Sequence, residues 1–255
     1  MNIDISLMYH DVFHNDIKES GFQNTGAIPY KIKSVDFEYQ VSMIARYYEA
    51  NNLDKNRIAL TFDDGGESFY SIIAPILEKH GFKGYFFITT NCIGTQGFMN
   101  SVQIIDLHRR GHFIGTHSHT HPKNIAELPY AEIEKEWTNS VEILNNIISE
   151  KVKVASIPGG FYSRQSRIAL LKNGIEMVFT SVPTKKIKHE DEVQYILGRF
   201  TIKNGIYNEL IIELLKNNSV RQYYEFVKWR GLALIRSLLG NNYYLIREVL
   251  LKNHK

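Results

Sequence analysis

The feature that most constrains this chain is an alternation of short apolar runs, several ending in polar residues, with longer amphipathic stretches. Residues 3–9, 57–62, 84–89, 113–116, 152–156 and 177–181 have the length and composition of buried strands. Between them, residues 37–51, 68–79, 102–109, 130–149 and 165–172 read as helices. Two of these end on a glycine stop, Lys79-His80-Gly81 and Lys172-Asn173-Gly174. Strand–helix alternation predicts βαβ units and a parallel sheet, so the fold class is α/β. Six or seven such strands close more naturally into one barrel than into two domains. In parallel barrels functional residues gather at the C-terminal ends of strands. Thr61-Phe62-Asp63-Asp64 and Gly115-Thr116-His117 both carry their polar residues at such an end.

Composition narrows the function classes. With one cysteine, Cys92, neither an intrachain disulfide nor a cysteine-based zinc site can form. A formal charge of +3 is too small to argue for nucleic acid, and none is expected as a partner. The first residues show neither a basic nor an apolar leader region, and no apolar run reaches the roughly 18 residues of a membrane span. The expectation is a soluble, cytoplasmic protein. From Asn208 onward the pattern is wholly helical, with Leu210, Ile211, Leu214 and Leu215 on one face and further amphipathic stretches at 222–239 and 243–252. Domains are therefore expected at 1–205, the barrel, and 206–255, a C-terminal helical extension. Arg221, Lys228, Arg230, Arg236, Arg247 and Lys252 make that extension basic. It is expected to pack on the barrel; contact with the inner face of an anionic membrane, or with a partner protein, is the other reading.

His117-Ser118-His119-Thr120-His121-Pro122 holds the strongest chemical signal. Two imidazoles four residues apart can converge on one zinc, cobalt or nickel ion, although a polar turn reads the same way. Asp63-Asp64-Gly65 is by itself a common turn. Two adjacent carboxylates repel unless something compensates, and a cation on one of them leaves the other ionised nearby. Together the two segments describe a His-His-Asp site with open positions, which suits catalysis better than structure.

These residues resemble a known family. Thr61-Phe62-Asp63-Asp64-Gly65 and His117-Ser118-x-x-His121-Pro122 look like the first two motifs of the NodB-type polysaccharide deacetylases, carbohydrate esterase family 4, over roughly residues 3–202. The resemblance implies a distorted (β/α)7 barrel that removes N- or O-acetyl groups from sugars. It implies one divalent metal, zinc before cobalt or nickel, on Asp64, His117 and His121, with Asp63 as the base and Ser118 orienting the loop. His119 is set aside. Residues 154–164 resemble a third motif, in which Gly159 would offer an oxyanion N–H, with Tyr9 on the substrate side; by itself Pro158-Gly159 also reads as a simple turn.

The chain departs from the commonest pattern at two points. Ser156 stands where many members carry an arginine, and no late Leu-x-His histidine follows Tyr195; His189 and His254 read as solvated. Leu197-Gly198-Arg199-Phe200-Thr201-Ile202 and Leu7-Met8-Tyr9-His10-Asp11-Val12 instead look like the poly-N-acetylglucosamine deacetylase branch. There Arg199 would hold Asp63 ionised and His10 would protonate the leaving amine; a histidine that only packs or lines the groove is the other reading of His10. The expected substrate is an acetylated saccharide, as polymer, oligomer or lipid-linked precursor. A related amidase or deformylase, and a non-catalytic metal-binding scaffold, are the competing readings.

Overall fold

The computed structural model describes residues 3–190, 194–206, 208–217 and 219–239. The helical stretch expected at 243–252, with Arg247, Lys252 and His254, lies outside them. Strand β1 (Ile5–Tyr9) leads to two short strands that pair in parallel, β2 (Val12–Phe13) and β3 (Ile32–Lys33). Helix α1 (Ser34–Ala50) crosses back to β4 (Ile58–Phe62). A π-helical turn, Phe69–Ile73, runs into α2 (Ala74–Lys79). Then follow β5 (Gly84–Ile88), α3 (Ser101–Arg109), β6 (Phe113–Thr116), α4 (Tyr130–Ile148), β7 (Val154–Ser156), α5 (Arg164–Lys172) and β8 (Met177–Phe179). Three strands complete the sheet: β9 (Lys188–Glu190), β10 (Gln194–Leu197) and β11 (Phe200–Thr201). Two helices follow, α6 (Asn208–Leu215) and α7 (Val220–Leu239).

The sheet order is β11-β1-β4-β5-β6-β7-β8-β10-β9, and every pairing is parallel except that of β9 with β10. β10 bonds to β8 and β11 bonds to β1, yet only Gly198 and Arg199 separate β10 from β11. They are two halves of one broken stave, and through that break the curled sheet returns to its first strand. Counted this way, the ring has seven staves, as a (β/α)7 barrel requires. Glycine is needed at the break, because a Cβ on Gly198 would sit 2.3 Å from the Val182 carbonyl oxygen. The seventh stave is absent from the six expected strands because its pattern is interrupted at this point.

Alternation along each stave divides the core. One set of residues, including Leu7, Leu60, Phe62, Phe86 and Val178, packs outward into the layer shared with the helices. The other set, including Ala59, Tyr85, Phe87, Val154, Met177, Phe179 and Leu197, fills a separate inner cluster. Continuing the inner parity toward the C-terminal ends brings up His10, Asp63, His117, Ser156 and Arg199. The same parity corrects one expectation. Tyr9 lies on the outer face, fully buried, stacked on Phe62 at 5.6 Å and edge-on to Phe37 at 5.4 Å. It is a core residue between β1 and α1 and does not reach the substrate side.

Candidate metal centre

Asp63 and Asp64 leave β4 at the mouth of the ring and point into different surroundings. Asp63 continues the inner face, with its N–H donating to the Tyr9 carbonyl at 3.2 Å. Asp64 turns away with φ +91, followed by Gly65 at φ +94. Left-handed backbone at an aspartate is uncommon and strained, and such outliers collect at functional sites. Two bonds fix this turn: the Thr89 N–H donates to the Asp64 carbonyl and the Met99 N–H to that of Gly65.

The histidines come from the loop after β6. His117 is buried, and its Nδ1 donates to the Ser156 carbonyl at 3.0 Å, which leaves the Nε2 lone pair free for a ligand. The chain then passes Ser118 (φ +65) and reaches His121 (φ +55), whose N–H donates to Ser118 Oγ at 3.2 Å. Ser118 therefore contacts the loop where the sequence expected an orienting residue. His119 turns aside and shares a 2.9 Å bond with Thr90 Oγ1.

Among the described residues, ligand atoms of Asp64, His117 and His121 lie within 4.8 Å of one another. Both Nε2 atoms stand 3.5 Å from Asp64 Oδ1. That is too long for a good hydrogen bond. It falls within the edge length, about 3.3–3.6 Å, of a tetrahedron whose bonds are about 2.0–2.2 Å long. The electrostatics agree. Burial, reinforced by Asp63 and Asp11 and opposed by His10 and Lys31, pushes the Asp64 carboxyl up to about 7. Burial pulls His117 down to about 3 and lowers His121 as well. A carboxyl reluctant to ionise beside two neutral imidazoles lacks positive charge, and the donor set fits a divalent ion.

Asp63 is held differently. Arg199 is fully buried and all five of its N–H groups have acceptors. Nη1 donates to Asp63 Oδ1 (2.7 Å) and Thr61 Oγ1 (3.1 Å), Nη2 to Asp63 Oδ2 (2.8 Å) and Ser156 Oγ (2.8 Å), and Nε to the Thr180 carbonyl (3.1 Å). Ser156 Oγ donates to Asp63 Oδ2 at 3.1 Å. Burial alone would raise this carboxyl, but Arg199 and then His117 outweigh it and hold Asp63 well below the usual carboxylate range. The arginine missing at position 156 is thus replaced in space from the broken stave, and the smaller serine leaves room for it.

His10 follows β1 on the inner face, with its ring 4.5 Å from that of Tyr30 and its buried Nδ1 without a partner among the described residues. Burial lowers it, while Asp64 and then Asp63 oppose that shift. Gly159 has φ +60 and lies exposed against the loop of His121, 3.5 Å from the Lys123 carbonyl measured from where its Cβ would be. His189 is exposed and stacks on Tyr195.

Sequence reasoning missed one wall of the mouth. Residues 14–31 carry no regular period, yet they place Phe22 5.3 Å from the ring of His121 and 5.0 Å from that of Phe98. Buried Asp11 fastens this wall: its Oδ1 accepts from Ser20 Oγ (2.6 Å) and Ser68 Oγ (3.0 Å). Buried Lys31 donates to the carbonyls of Ile17 and Ser20. The only sequence signal for it was charge at two otherwise apolar positions.

Residues 50–178, half the chain, match the sequence profile of a family described as polysaccharide deacetylase. Among curated proteins, the poly-beta-1,6-N-acetyl-D-glucosamine N-deacetylase of Staphylococcus epidermidis is 24% identical over 182 residues, covering 66% of this chain and 62% of that one. A chitin deacetylase of Arthroderma benhamiae is 25% identical over 191 residues, 70% of this chain and 50% of the relative. The chain thus spans between 50% and 62% of the length of these curated relatives. Among solved structures, the Streptococcus pyogenes deacetylase PplD in complex with acetate superposes with a TM-score of 0.67 at 18% identity, over 85% of this chain and 99% of that one. IcaB from Ammonifex degensii gives 0.63 at 20% identity, over 79% and 94%. At these identities the structures speak for the fold.

Proposed function

This chain belongs to the polysaccharide deacetylase family, and we propose that it hydrolyses the acetamide of an N-acetylated sugar, with a divalent metal on Asp64, His117 and His121. The observation that carries this reading is the division of labour between adjacent carboxylates. Asp64 faces two neutral imidazoles, while Asp63 is clamped by a buried guanidinium. A divalent ion in that trio would supply Lewis-acid polarisation of the acyl oxygen and acidification of the attacking water.

The remaining work falls to the protein's own groups. Asp63 accepts the proton given up by the attacking water, and Arg199 keeps that carboxylate ionised and oriented. Gly159 offers an N–H to the oxygen that becomes negative as the carbonyl carbon turns tetrahedral. His10 donates a proton to the departing nitrogen, because an amine anion is a poor leaving group. The water oxygen forms the new bond to carbon, the C–N bond breaks, and acetate and a free amino sugar result. Zinc is the first choice of metal, from the imidazole and carboxylate donors. The resemblance of the first and last stave ends to the poly-N-acetylglucosamine branch favours β-1,6-linked N-acetylglucosamine oligomers as the first substrate to try.

The test is acetate release from those oligomers and from chitooligosaccharides by protein loaded with zinc, cobalt or nickel. Asp63→Asn is expected to lower the rate about 10²–10⁴-fold while binding metal as before. In the same assay His10→Ala should lose amide hydrolysis yet keep most of its turnover of 4-nitrophenyl acetate, whose leaving group needs no proton. Metal bound with no acetate from any acylated sugar would overturn the enzymatic reading in favour of a scaffold. Among the described residues no helix is long and apolar enough to cross a membrane. Membrane-surface contact through the C-terminal helices is a separate part of the proposal.

A further inference from the structure

We infer that Glu136 is a positioning residue for the metal centre, its carboxylate holding the segment between His117 and His121 so that both imidazoles meet Asp64. The inference rests on the metal reading above. His117 needs little help: it follows directly on β6, and its ring is fixed by the Ser156 carbonyl. His121 sits beyond two left-handed residues, Ser118 and His121 itself. Side chains rarely adopt that backbone unless their surroundings enforce it.

The enforcement comes from two sides. Toward β5, the Thr90 N–H donates to the Ser118 carbonyl at 3.3 Å and the Asn91 N–H to that of His119 at 2.9 Å. From the other side Glu136 reaches in from α4. Its Oε2 accepts from the N–H groups of His119 (3.0 Å) and Thr120 (2.8 Å), and its Oε1 from Thr120 Oγ1 (2.7 Å). Two consecutive N–H groups on one carboxylate oxygen, with a hydroxyl on the other, fix both the position and the direction of this peptide segment.

The helix that carries Glu136 is itself immobilised. Its neighbour Trp137 is fully buried. One turn further on, Ser140 Oγ bonds Thr116 Oγ1 at 2.6 Å, in a fully buried contact. Thr116 Oγ1 in turn accepts the Ser118 N–H at 3.1 Å. Glu136 and Ser140 therefore grip the chain on both sides of His117 from one face of one helix. Without Glu136, the N–H groups of residues 119 and 120 would turn to water and His121 would lose its fixed approach. Groups that orient ligands in this way typically change metal affinity ten- to a hundredfold when removed.

The experiment is competitive titration of the apo protein with Co²⁺ against a chromophoric chelator, read with the visible spectrum of the bound ion and thermal unfolding of the apo protein. Glu136→Ala should weaken Co²⁺ binding about ten- to a hundredfold, alter the spectrum and leave unfolding of the apo protein nearly unchanged. Glu136→Gln keeps a carbonyl acceptor for the two N–H groups and should restore most of the affinity. A purely electrostatic role would instead leave Gln as weak as Ala, and that result overturns the inference. So does wild-type affinity in the Ala variant. Should Glu136→Ala fail to fold, Glu136→Asp decides, since its shorter chain cannot span to both groups; wild-type affinity there overturns the inference too. Failure of the wild-type protein to bind Co²⁺ removes the metal reading itself and this inference with it.

Discussion

At the scale of single residues, the buried pair of Arg199 and Asp63 makes the sharpest claim on stability as well as chemistry. Both side chains are almost wholly out of water, so each depends on the other. Replacing Arg199 by Met strands a carboxylate in the barrel mouth, and a loss of about 3–5 kcal/mol is expected in denaturant unfolding. Adding Asp63→Asn to that variant should recover part of the loss, because the uncompensated charge is then gone. The pH dependence follows from the sign of the shift. Asp63 titrates lower in the folded chain than in the unfolded one, whose value is about 3.9. Its contribution is therefore complete above roughly pH 5 and disappears as acid carries the solution down toward the folded value. Unfolding compared at pH 7 and pH 3 should show a larger acid loss in wild type than in Arg199→Met. An equal loss would mean that the pair does not govern acid stability.

At the scale of elements, the wall formed by residues 14–31 depends on close packing around Asp11. A Cβ on Gly21 would lie 1.7 Å from Asp11 Oδ2, and one on Gly66 would lie 1.9 Å from Oδ1. Gly66→Ala should therefore expel the Asp11 side chain, and proteolysis within residues 14–27 should become faster while the helices of the barrel keep their hydrogen-exchange protection. Unchanged cleavage would show that the wall is held by other means. This wall also marks a limit of the sequence. The strand ends at Asp63-Asp64 and His117 were legible because the local pattern, apolar run then polar residues, is itself what builds a barrel mouth. Arg199 was legible through its motif, although not its fivefold hydrogen bonding. Phe22 and Glu136 were not, since they meet the histidine loop from a segment without period and from a helix whose amphipathic pattern marks only its buried face. Tyr9 was recoverable: if His10 faces inward, strand alternation turns Tyr9 outward.

At the scale of the whole molecule, α6 and α7, the C-terminal helices among the described residues, stand in different relations to the barrel. α6 buries Ile211, Leu214 and Leu215, and packs beside α1. α7 contacts α6 and leaves Val220, Tyr223, Tyr224, Val227, Leu234 and Ile235 exposed next to Arg221, Lys228 and Arg230. Removing residues 219–255 should accordingly leave metal affinity and thermal unfolding near wild type. Removing 206–255 should destabilise the chain by several kcal/mol, since each of three buried aliphatic side chains contributes about 1.5–3 kcal/mol. The same pair of truncations tests the surface role. An amphipathic helix with aromatic and basic residues in water has the composition of an interfacial one. Sedimentation with anionic phospholipid vesicles should carry down the intact protein and the effect should vanish on removal of 219–255, with acetate release from soluble oligomers retained. Equal sedimentation of intact and truncated protein would place any membrane contact on the barrel instead.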